Sequence, residues 1–185
     1  MFRQEEKFFL NYKNLANILN HFKAYPIHPV RKVNSIYFDT TGFEFFNDGE
    51  EGIVPRKKCR FRWYGRSNKN TKNFGSIEIK TTLENYKKKQ TLKKKTLFEA
   101  QKYFANYFKL DLFPTCQISY ERAYYLNNHN YRFTFDYNIQ FKKVGSNTFH
   151  KINQNIFEVK YSSMKNDNII LSNLGDKKTR FSKYN

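Results

Sequence analysis

Five short segments of the chain carry a charged residue at every second position. They are residues 3–7 (RQEEK), 58–62 (KCRFR), 76–80 (SIEIK), 132–136 (RFTFD) and 158–160 (EVK). Successive side chains of a β-strand point to opposite faces, so each segment has one charged face if it forms a strand. Arginine binds phosphate through paired hydrogen bonds, and lysine acts as a mobile point charge. Faces that mix Arg and Lys with a few Glu therefore predict an anion site, with carboxylates available to a metal ion.

The composition points to the same kind of ligand. Lys and Arg number 34 against 16 Asp and Glu, which gives a formal net charge of +18. Such a surplus predicts an anionic partner, either nucleic acid, an anionic membrane surface or a phosphate-rich molecule, although a solvated basic surface is the simpler alternative. Aromatic residues make up 19% of the chain, which argues against disorder and favours β-structure.

Several classes of protein are disfavoured by what the sequence lacks. Two cysteines, Cys59 and Cys116, form neither a disulfide framework nor a metal-ligand cluster, and Cys59 is expected to be a buried thiol. The four histidines have no ligand spacing. No apolar run approaches the roughly 18 residues of a membrane span, and the first residues have no secretory signal pattern. The expectation is a cytoplasmic protein without a transmembrane segment.

The pattern of hydrophobic residues predicts many strands and few helices. Helices are expected at residues 13–24, 96–108 and 166–174, with a short helical piece within 40–52, and Thr96 with Glu99 forms a capping box. Strands are expected at residues 2–10, 33–39, 57–64, 75–82, 115–126, 131–142 and 156–161. No linker divides the chain, so residues 1–185 are expected to form one domain. This order favours an α+β fold with a largely antiparallel sheet or barrel.

The charged faces need an explanation, because like charges on neighbouring strands repel each other. An ordinary antiparallel sheet with one wet polar face is the alternative. Its polar face would favour Thr, Ser and Asn, whereas the charged positions of these segments hold Arg, Lys, Glu and Asp, with up to three cations in one segment. A closed antiparallel β-barrel resolves the conflict by turning the charged faces into a lumen, where acids and bound phosphates balance the cations. Helices then cover the apolar faces outside.

The charged segments, with three further motifs, resemble a known family in their order along the chain. The motifs are RxExKF at 3–8, SIYFDT at 35–40, KCRFRWY at 58–64, IEIK at 77–80, SYER at 119–122, RFTFD at 132–136, FEVK at 157–160 and SKY at 182–184. Together they resemble the VTC domain, the polyphosphate polymerase domain of vacuolar transporter chaperones. That domain belongs to the triphosphate tunnel metalloenzymes, whose fold is a closed antiparallel barrel with a charged lumen.

This resemblance implies a polymerase that moves the terminal phosphate of ATP onto a polyphosphate chain, with Mn²⁺ or Mg²⁺. The catalytic cations that it implies are Arg60, Arg62, Lys80, Arg122 and Arg132. The further residues that it implies for phosphate binding are Lys7, Tyr120, Ser182 and Lys183. One lysine of the 87–89 run is also implied, and the alternation of side chains along a strand favours Lys87 or Lys89. Glu158 is the implied metal ligand, and Glu5 is the next candidate.

Two other functions remain open at this point. Sister families hydrolyse tripolyphosphate or nucleoside triphosphates, but hydrolysis usually needs more carboxylates than these strands carry. A non-catalytic module that binds polyphosphate or nucleic acid would use the same basic surface. The aromatic residues mostly lie on the faces opposite the charges, where they are badly placed to stack on bases. The expected partners are therefore ATP and polyphosphate, with no specific nucleic acid, and recruitment by a membrane partner is left open.

Overall fold

The computed structural model describes residues 4–65, 74–84, 86–161, 178–179 and 181–184. In this part of the chain the helices are α1 (Tyr12–His21), α2 (Glu44–Glu51) and α3 (Leu97–Phe108). The strands are β1 (Gln4–Phe9), β2 (Tyr25–Asp39), β3 (Arg56–Tyr64), β4 (Gly75–Thr82), β5 (Lys87–Lys95), β6 (Phe113–Leu126), β7 (Arg132–Lys143), β8 (His150–Ile152) and β9 (Ile156–Tyr161).

The strands form a mostly antiparallel sheet. Neighbours follow the order β1-β9-β7-β6-β2-β3-β4-β5, and β8 pairs with β7. The pairings β1–β9, β2–β3, β3–β4, β4–β5 and β7–β9 are all antiparallel. The predicted α+β class with an antiparallel sheet is therefore confirmed. Because the strand order has two ends, β1 and β5, closure into a barrel is not confirmed and stays a prediction.

The chain divides into two compact units, each assembled from three separate stretches. Unit 1 comprises Met1–Arg31, Tyr120–Ile139 and Lys151–Phe181, and unit 2 comprises Lys32–Ser119, Gln140–His150 and Ser182–Asn185. The two units are described in turn below. That residues 1–185 act as one domain stays a prediction.

The core of unit 1 lies between α1 and the apolar faces of its strands. Leu15 and Ile18 on α1 are buried together with Phe133 on β7 and Phe157 on β9, whose rings stack with centroids 5.7 Å apart. The side chain of Asn11 accepts a hydrogen bond from the Asn14 amide, which satisfies a free donor at the start of the helix.

Helix α1 ends three residues earlier than the sequence predicts, and β2 begins eight residues earlier. Lys23 adopts a left-handed backbone conformation, with φ of 48°, which stops the helix after His21. Pro26 and Pro29 then lie in β2, although prolines usually indicate a loop. Their fixed φ is compatible with extended backbone, and the first eight residues of β2 are exposed.

The core of unit 2 lies between α3 and the apolar faces of β3 and β4. Phe104 is fully buried, its ring centroid 4.9 Å from that of Phe38, and it belongs to the same cluster as Ile77 and Ile79. The predicted capping box of Thr96 and Glu99 begins α3. Cys59 is also buried there, which confirms the predicted buried thiol, and burial raises the pKa of that thiol far above the usual range.

Strand β5 is the largest element that the sequence analysis did not assign. Its sequence, KKKQTLKKK, has no apolar alternation, so no strand pattern is visible in it. Pairing with β4 along Gly75–Thr82 determines its conformation instead. The predicted helix at residues 166–174 lies outside the described residues, as do residues 66–73 of the link between β3 and β4. No helix in the described part of the chain has the length and apolarity to cross a membrane.

The packing of α3 gives a direct test of this arrangement. Phe104→Ala removes a fully buried ring and should lower the free energy of unfolding by about 3–5 kcal/mol in urea denaturation. Phe98 lies on the same helix with 66% of its surface exposed, so Phe98→Ala should change that free energy by no more than about 0.5 kcal/mol. Equal losses in the two variants would contradict the helix orientation.

Candidate functional site

The charged face of unit 2 is built by three neighbouring strands. We call its residues the unit 2 cluster: Lys58, Arg60 and Arg62 on β3, Glu78 and Lys80 on β4, and Lys89 on β5. The strand register places Arg60 opposite Glu78, and Lys80 opposite both Lys58 and Lys89. Period-2 alternation keeps all six side chains on one face, away from the apolar core of this unit. The cluster therefore holds five cations and one carboxylate.

Glu78 is the counter-ion at the centre of this cluster. Its Oε2 accepts hydrogen bonds from Arg60 Nε at 2.8 Å and Nη2 at 2.6 Å, and its Oε1 lies 3.1 Å from Lys89 Nζ. Burial raises the pKa of Glu78, but the charges of Arg60, Arg62 and Lys89 outweigh it and lower the pKa to about 2. Glu78 is thus a permanent anion that fixes the plane of the Arg60 guanidinium.

Three lysines cross the cluster in a single row. Lys58, Lys80 and Lys89 are directly opposite one another on adjacent strands, which are spaced about 4.8 Å apart. Like charges in this arrangement repel each other unless negative charge lies close by. Such a row suits a ligand that brings several negative charges at short, regular intervals, as linked phosphates do.

The C-terminal segment reaches this cluster. Lys58 Nζ donates a hydrogen bond of 2.7 Å to Ser182 Oγ, and the ring of Tyr184 stacks on Tyr37 at 4.7 Å between centroids. The Tyr37 hydroxyl in turn accepts a hydrogen bond from Arg60. Burial raises the pKa of Tyr37, but the charges of Arg60, Arg62 and Lys183 lower it below its ordinary value. Ser182 and Lys183 are thereby held beside the predicted arginines.

A buried carboxylate anchors this C-terminal segment. Asp39 is fully buried and accepts hydrogen bonds from the backbone amides of Phe45 and Phe46 at the start of α2, each at 2.9 Å. The phenol of Tyr184 donates to the same carboxylate. Asp39 therefore ties α2 and the chain terminus to the end of β2. The sequence showed no signal for this role, because the partners of Asp39 are up to 145 residues away.

The charged face of unit 1 is the second candidate region. We call its residues the unit 1 cluster: Glu5 and Lys7 on β1, Tyr120 and Arg122 on β6, Arg132, Thr134 and Asp136 on β7, and Glu158 and Lys160 on β9. In the register Lys7 is opposite Glu158, Glu5 is opposite Lys160, and Thr134 is opposite Glu158. Asp136 and Glu158 are buried, which an ordinary solvated sheet face would not require.

Glu158 and Glu5 are brought close to the same amino group. Lys160 Nζ lies 2.8 Å from Glu158 Oε1 and 3.6 Å from Glu5 Oε2. Burial raises the pKa of Glu158, but the charges of Lys160, Arg122 and Lys7 hold it well below its usual range. Glu158 is therefore ionised at any physiological pH, as a metal ligand must be.

These oxygens fit a small divalent cation. Within the described residues no group of three or more His, Cys, Asp or Glu could hold a metal ion by itself. Mg²⁺ does not need such a cage, because it is commonly bound by one or two carboxylates together with water and substrate phosphates. The buried hydroxyl of Thr134, opposite Glu158, has no hydrogen-bond partner in the described structure and could donate to a ligand there.

The remaining predicted residues of unit 1 differ in their surroundings. Arg122 is paired in a fork with Asp136, with Nε–Oδ1 at 2.5 Å and Nη2–Oδ2 at 2.7 Å, and its guanidinium lies over the Tyr120 ring. Arg132 is exposed at the start of β7, and Asp136 on the same strand pairs with Arg122. Lys7 Nζ donates to the Phe181 carbonyl at 3.2 Å.

The structure thus groups the predicted residues into two sets. Unit 2 brings together Arg60, Arg62, Lys80, Lys89, Ser182 and Lys183, and unit 1 brings together Glu5, Lys7, Tyr120, Arg122, Arg132 and Glu158. Of the two lysine alternatives on β5, Lys89 contacts Glu78, while Lys87 lies two residues further along the same face. Sequence analysis did not assign roles to Lys58, Tyr37, Asp39, Thr134 or Lys160. The sequence shows that these residues lie on predicted strands, but it does not show which residues they contact.

Comparisons with known proteins show the family and the fold of this chain. A family model for the VTC domain matches residues 2–185. Among solved structures, the PH1819 protein from Pyrococcus horikoshii is similar, with a TM-score of 0.60, 15% identity, and coverage of 98% of this chain and 95% of that chain. A candidate adenylate cyclase from Vibrio parahaemolyticus also gives a TM-score of 0.60, with 12% identity and coverage of 98% and 95%.

A third similar structure is a candidate adenylyl cyclase from Hippeastrum, described as having a dominant triphosphatase activity. Its TM-score is 0.54, with 10% identity and coverage of 96% of this chain and 88% of that chain. At such identities these likenesses show a shared fold alone. No curated protein matches the chain.

The lowered pKa of Glu78 predicts a specific acid sensitivity. Ionised Glu78 stabilises the fold above about pH 4.5, and this contribution is lost as the pH falls toward about 2. Between those values the free energy of unfolding of the wild type should therefore decline more steeply than that of Glu78→Gln. Glu84 is exposed, so Glu84→Gln should keep the wild-type slope. Parallel slopes for all three proteins in urea titrations would contradict the buried ion pair.

The anchor of the C-terminal segment can be tested separately. Tyr184→Phe keeps the ring stacked on Tyr37 but removes a hydrogen bond to a buried carboxylate, so the free energy of unfolding should fall by about 2 kcal/mol. Tyr64 is 52% exposed, and Tyr64→Phe serves as the matched control with little change. Indistinguishable thermal unfolding of the two variants would show that Tyr184 is not anchored by Asp39.

Proposed function

Because this chain belongs to the VTC domain family, we propose that it is a metal-dependent polyphosphate polymerase that transfers the terminal phosphate of ATP to a growing polyphosphate chain. The observation that carries the proposal is the unit 2 cluster, in which five cations share one buried carboxylate. A ligand with several closely spaced negative charges complements such a set. ATP and polyphosphate both provide linked phosphates.

The reaction makes modest demands on the protein. A terminal phosphate oxygen of the polyphosphate attacks the γ-phosphorus of ATP, and the bond to the oxygen that bridges the β- and γ-phosphates breaks, so that ADP leaves with that oxygen. The attacking and leaving oxygens must be aligned, and the charge on the transferred group must be neutralised. In unit 2, Arg60 is oriented by Glu78 and Tyr37, and Arg62 Nε donates to Ser35. Rigid guanidinium groups of this kind stabilise developing charge without reorganising.

Lysines supply the remaining positive charge in unit 2. Lys58, Lys80 and Lys89 form one row, and the C-terminal segment adds Lys183. We assign to this row the binding of consecutive phosphates, with Ser182 as an additional hydroxyl donor. Lys87 lies on the same face of β5, two residues along the strand from Lys89, and is assigned to a phosphate next to the one at Lys89.

The unit 1 cluster supplies carboxylates as well as cations. Glu158, with Glu5 beside it, would hold Mn²⁺ or Mg²⁺, and such an ion neutralises phosphate oxygens during transfer. Lys7, Arg122 and Arg132 are assigned to phosphate binding on this face, and Tyr120 is assigned as a hydrogen-bond donor. Asp136 orients Arg122 through the paired hydrogen bonds.

A hydrolase of tripolyphosphate or of a nucleoside triphosphate is the second candidate function. The Hippeastrum protein of similar fold, with its described triphosphatase activity, favours it. Hydrolysis also needs an activated water. Each carboxylate of the two clusters already lies within ion-pair distance of an Arg or a Lys, so none is an obvious general base. This pairing supports transfer over hydrolysis. A non-catalytic polyphosphate-binding module is the third reading.

One assay distinguishes these functions. Purified protein is incubated with ATP and Mn²⁺, and long-chain polyphosphate and orthophosphate are both measured. We expect long chains in the wild type and a loss of rate on the order of 100-fold or more in Arg60→Ala, because a rigid charge donor is removed. Glu158→Gln should lose activity and also weaken Mn²⁺ binding, measured by titration in the absence of ATP. Lys13→Ala, an exposed change on α1, is the control.

The alternatives give different results in the same assay. Orthophosphate without long chains would establish the hydrolase, and binding of tripolyphosphate without turnover, across several divalent metals, would leave only the binding module. Chelation of the metal should abolish turnover in either enzyme. ATP and polyphosphate are the partners that this proposal assigns to the chain, and the expected cytoplasmic location is part of it.

A further inference from the structure

We propose that β5 is an extended binding edge for long polyphosphate chains, beyond the phosphates held by the unit 2 cluster. This inference rests on the proposed function, since it assumes that the cluster takes linked phosphates. Six of the nine residues of β5 are lysines. Two of them have acidic partners, Lys89 with Glu78 and Lys95 with Glu99.

The other four lysines of β5 are exposed: Lys87, Lys88, Lys93 and Lys94. Among the described residues none of these four forms an ion pair. An uncompensated row of like charges on one strand raises the local potential, and it attracts a polyanion more strongly than it attracts single anions. The charge of β5 therefore remains available to a ligand.

The place of β5 in the sheet lets a chain reach these lysines. It is the last strand in the described order and pairs only with β4 there, so its outer edge also presents backbone amide groups. Lys89 belongs both to β5 and to the unit 2 cluster, which makes the two surfaces continuous. A phosphate chain that leaves the cluster at Lys89 can follow the strand across the uncharged Gln90, Thr91 and Leu92 to reach Lys93 and Lys94.

The length of the strand decides which ligands can use it. A strand rises about 3.3 Å per residue, so Lys93 and Lys94 lie about 13–17 Å along β5 from Lys89. Three linked phosphates are too short to occupy the cluster and reach these lysines together. Only a longer polyphosphate does so, and the edge should therefore add affinity for long chains alone.

The composition of β5 favours polyphosphate over nucleic acid. Single-stranded nucleic acids are bound by basic grooves that also carry aromatic side chains, on which the bases stack. Strand β5 consists of Lys, Gln, Thr and one Leu, with no aromatic residue. A ligand made only of phosphates needs nothing beyond the cations.

Lysine on an edge strand has another known use, which is to prevent pairing with a second chain. A charge or two is enough for that purpose, whereas β5 carries three lysines at each end of its sequence. The two roles make different predictions, because edge protection does not depend on the length of an added phosphate chain.

The test compares two ligands on three proteins. In the triple variant Lys88→Gln, Lys93→Gln and Lys94→Gln, affinity for long-chain polyphosphate should fall about 10-fold or more at low salt, while affinity for tripolyphosphate should stay within about 2-fold. The slope of log affinity for the long chain against log salt should decrease by about 2, since each lost phosphate contact contributes about 0.7. The matched control removes three exposed lysines elsewhere, Lys13→Gln, Lys109→Gln and Lys151→Gln, and should keep both affinities.

A second variant distinguishes a loss of charge from misfolding or self-association of the Gln variant. Changing the same three residues to Arg keeps the charge and should retain the preference for long chains. Equal losses for both ligands, an equal loss in the control, or unchanged long-chain binding in a self-associating Gln variant would each overturn the inference. So would equal binding and equal loss with a single-stranded oligodeoxynucleotide, which would make β5 a general polyanion surface. Because only binding is measured, an absence of polymerase activity would not affect this test.

Discussion

Electrostatic repulsion among cations on neighbouring strands is the constraint on which the rest of the structure depends. In unit 2, three lysines stand directly opposite one another across β3, β4 and β5. Such a row destabilises a sheet unless negative charge lies close by. Glu78 supplies part of it, buried and held ionised by the cations around it. Five cations share this face with that one carboxylate of the cluster, and this arrangement is the basis of the proposed anion site.

The same constraint shapes unit 1 with a different balance. There Asp136 is committed to Arg122, and Glu158 and Glu5 lie near Lys160. Carboxylates and cations are more nearly equal in number than in unit 2, so this face can offer oxygens to a metal ion as well as charge to phosphates. The buried Thr134 hydroxyl adds a polar group that has no partner in the described structure. The two faces therefore suit different parts of one chemistry, phosphate binding with metal binding.

Apolar packing holds these charged faces in place. In each unit the side of the strands opposite the charges is covered by helices and large aromatic side chains, such as Phe133 and Phe157 in unit 1 and Phe104 in unit 2. Burying these rings provides the free energy that offsets the cost of keeping charged groups close together. The aromatic rings of these two cores are therefore structural, whereas Tyr37 and Tyr120 lie beside Arg60 and Arg122 on the charged faces.

The sequence by itself determined the antiparallel α+β class, the charged and apolar sides of most strands, the capping box of α3 and the residue types of an anion site. These features are local, because strand alternation and helix capping depend on residues a few positions apart. Only the tertiary structure decided that Glu78 pairs with Arg60 and Lys89, that Asp136 pairs with Arg122 rather than Arg132, and that Asp39 anchors Tyr184. It also decided that the lysine-rich run after β4 is a strand. Those outcomes follow from strand register and order, which bring together residues far apart in the sequence and leave no periodic trace in it.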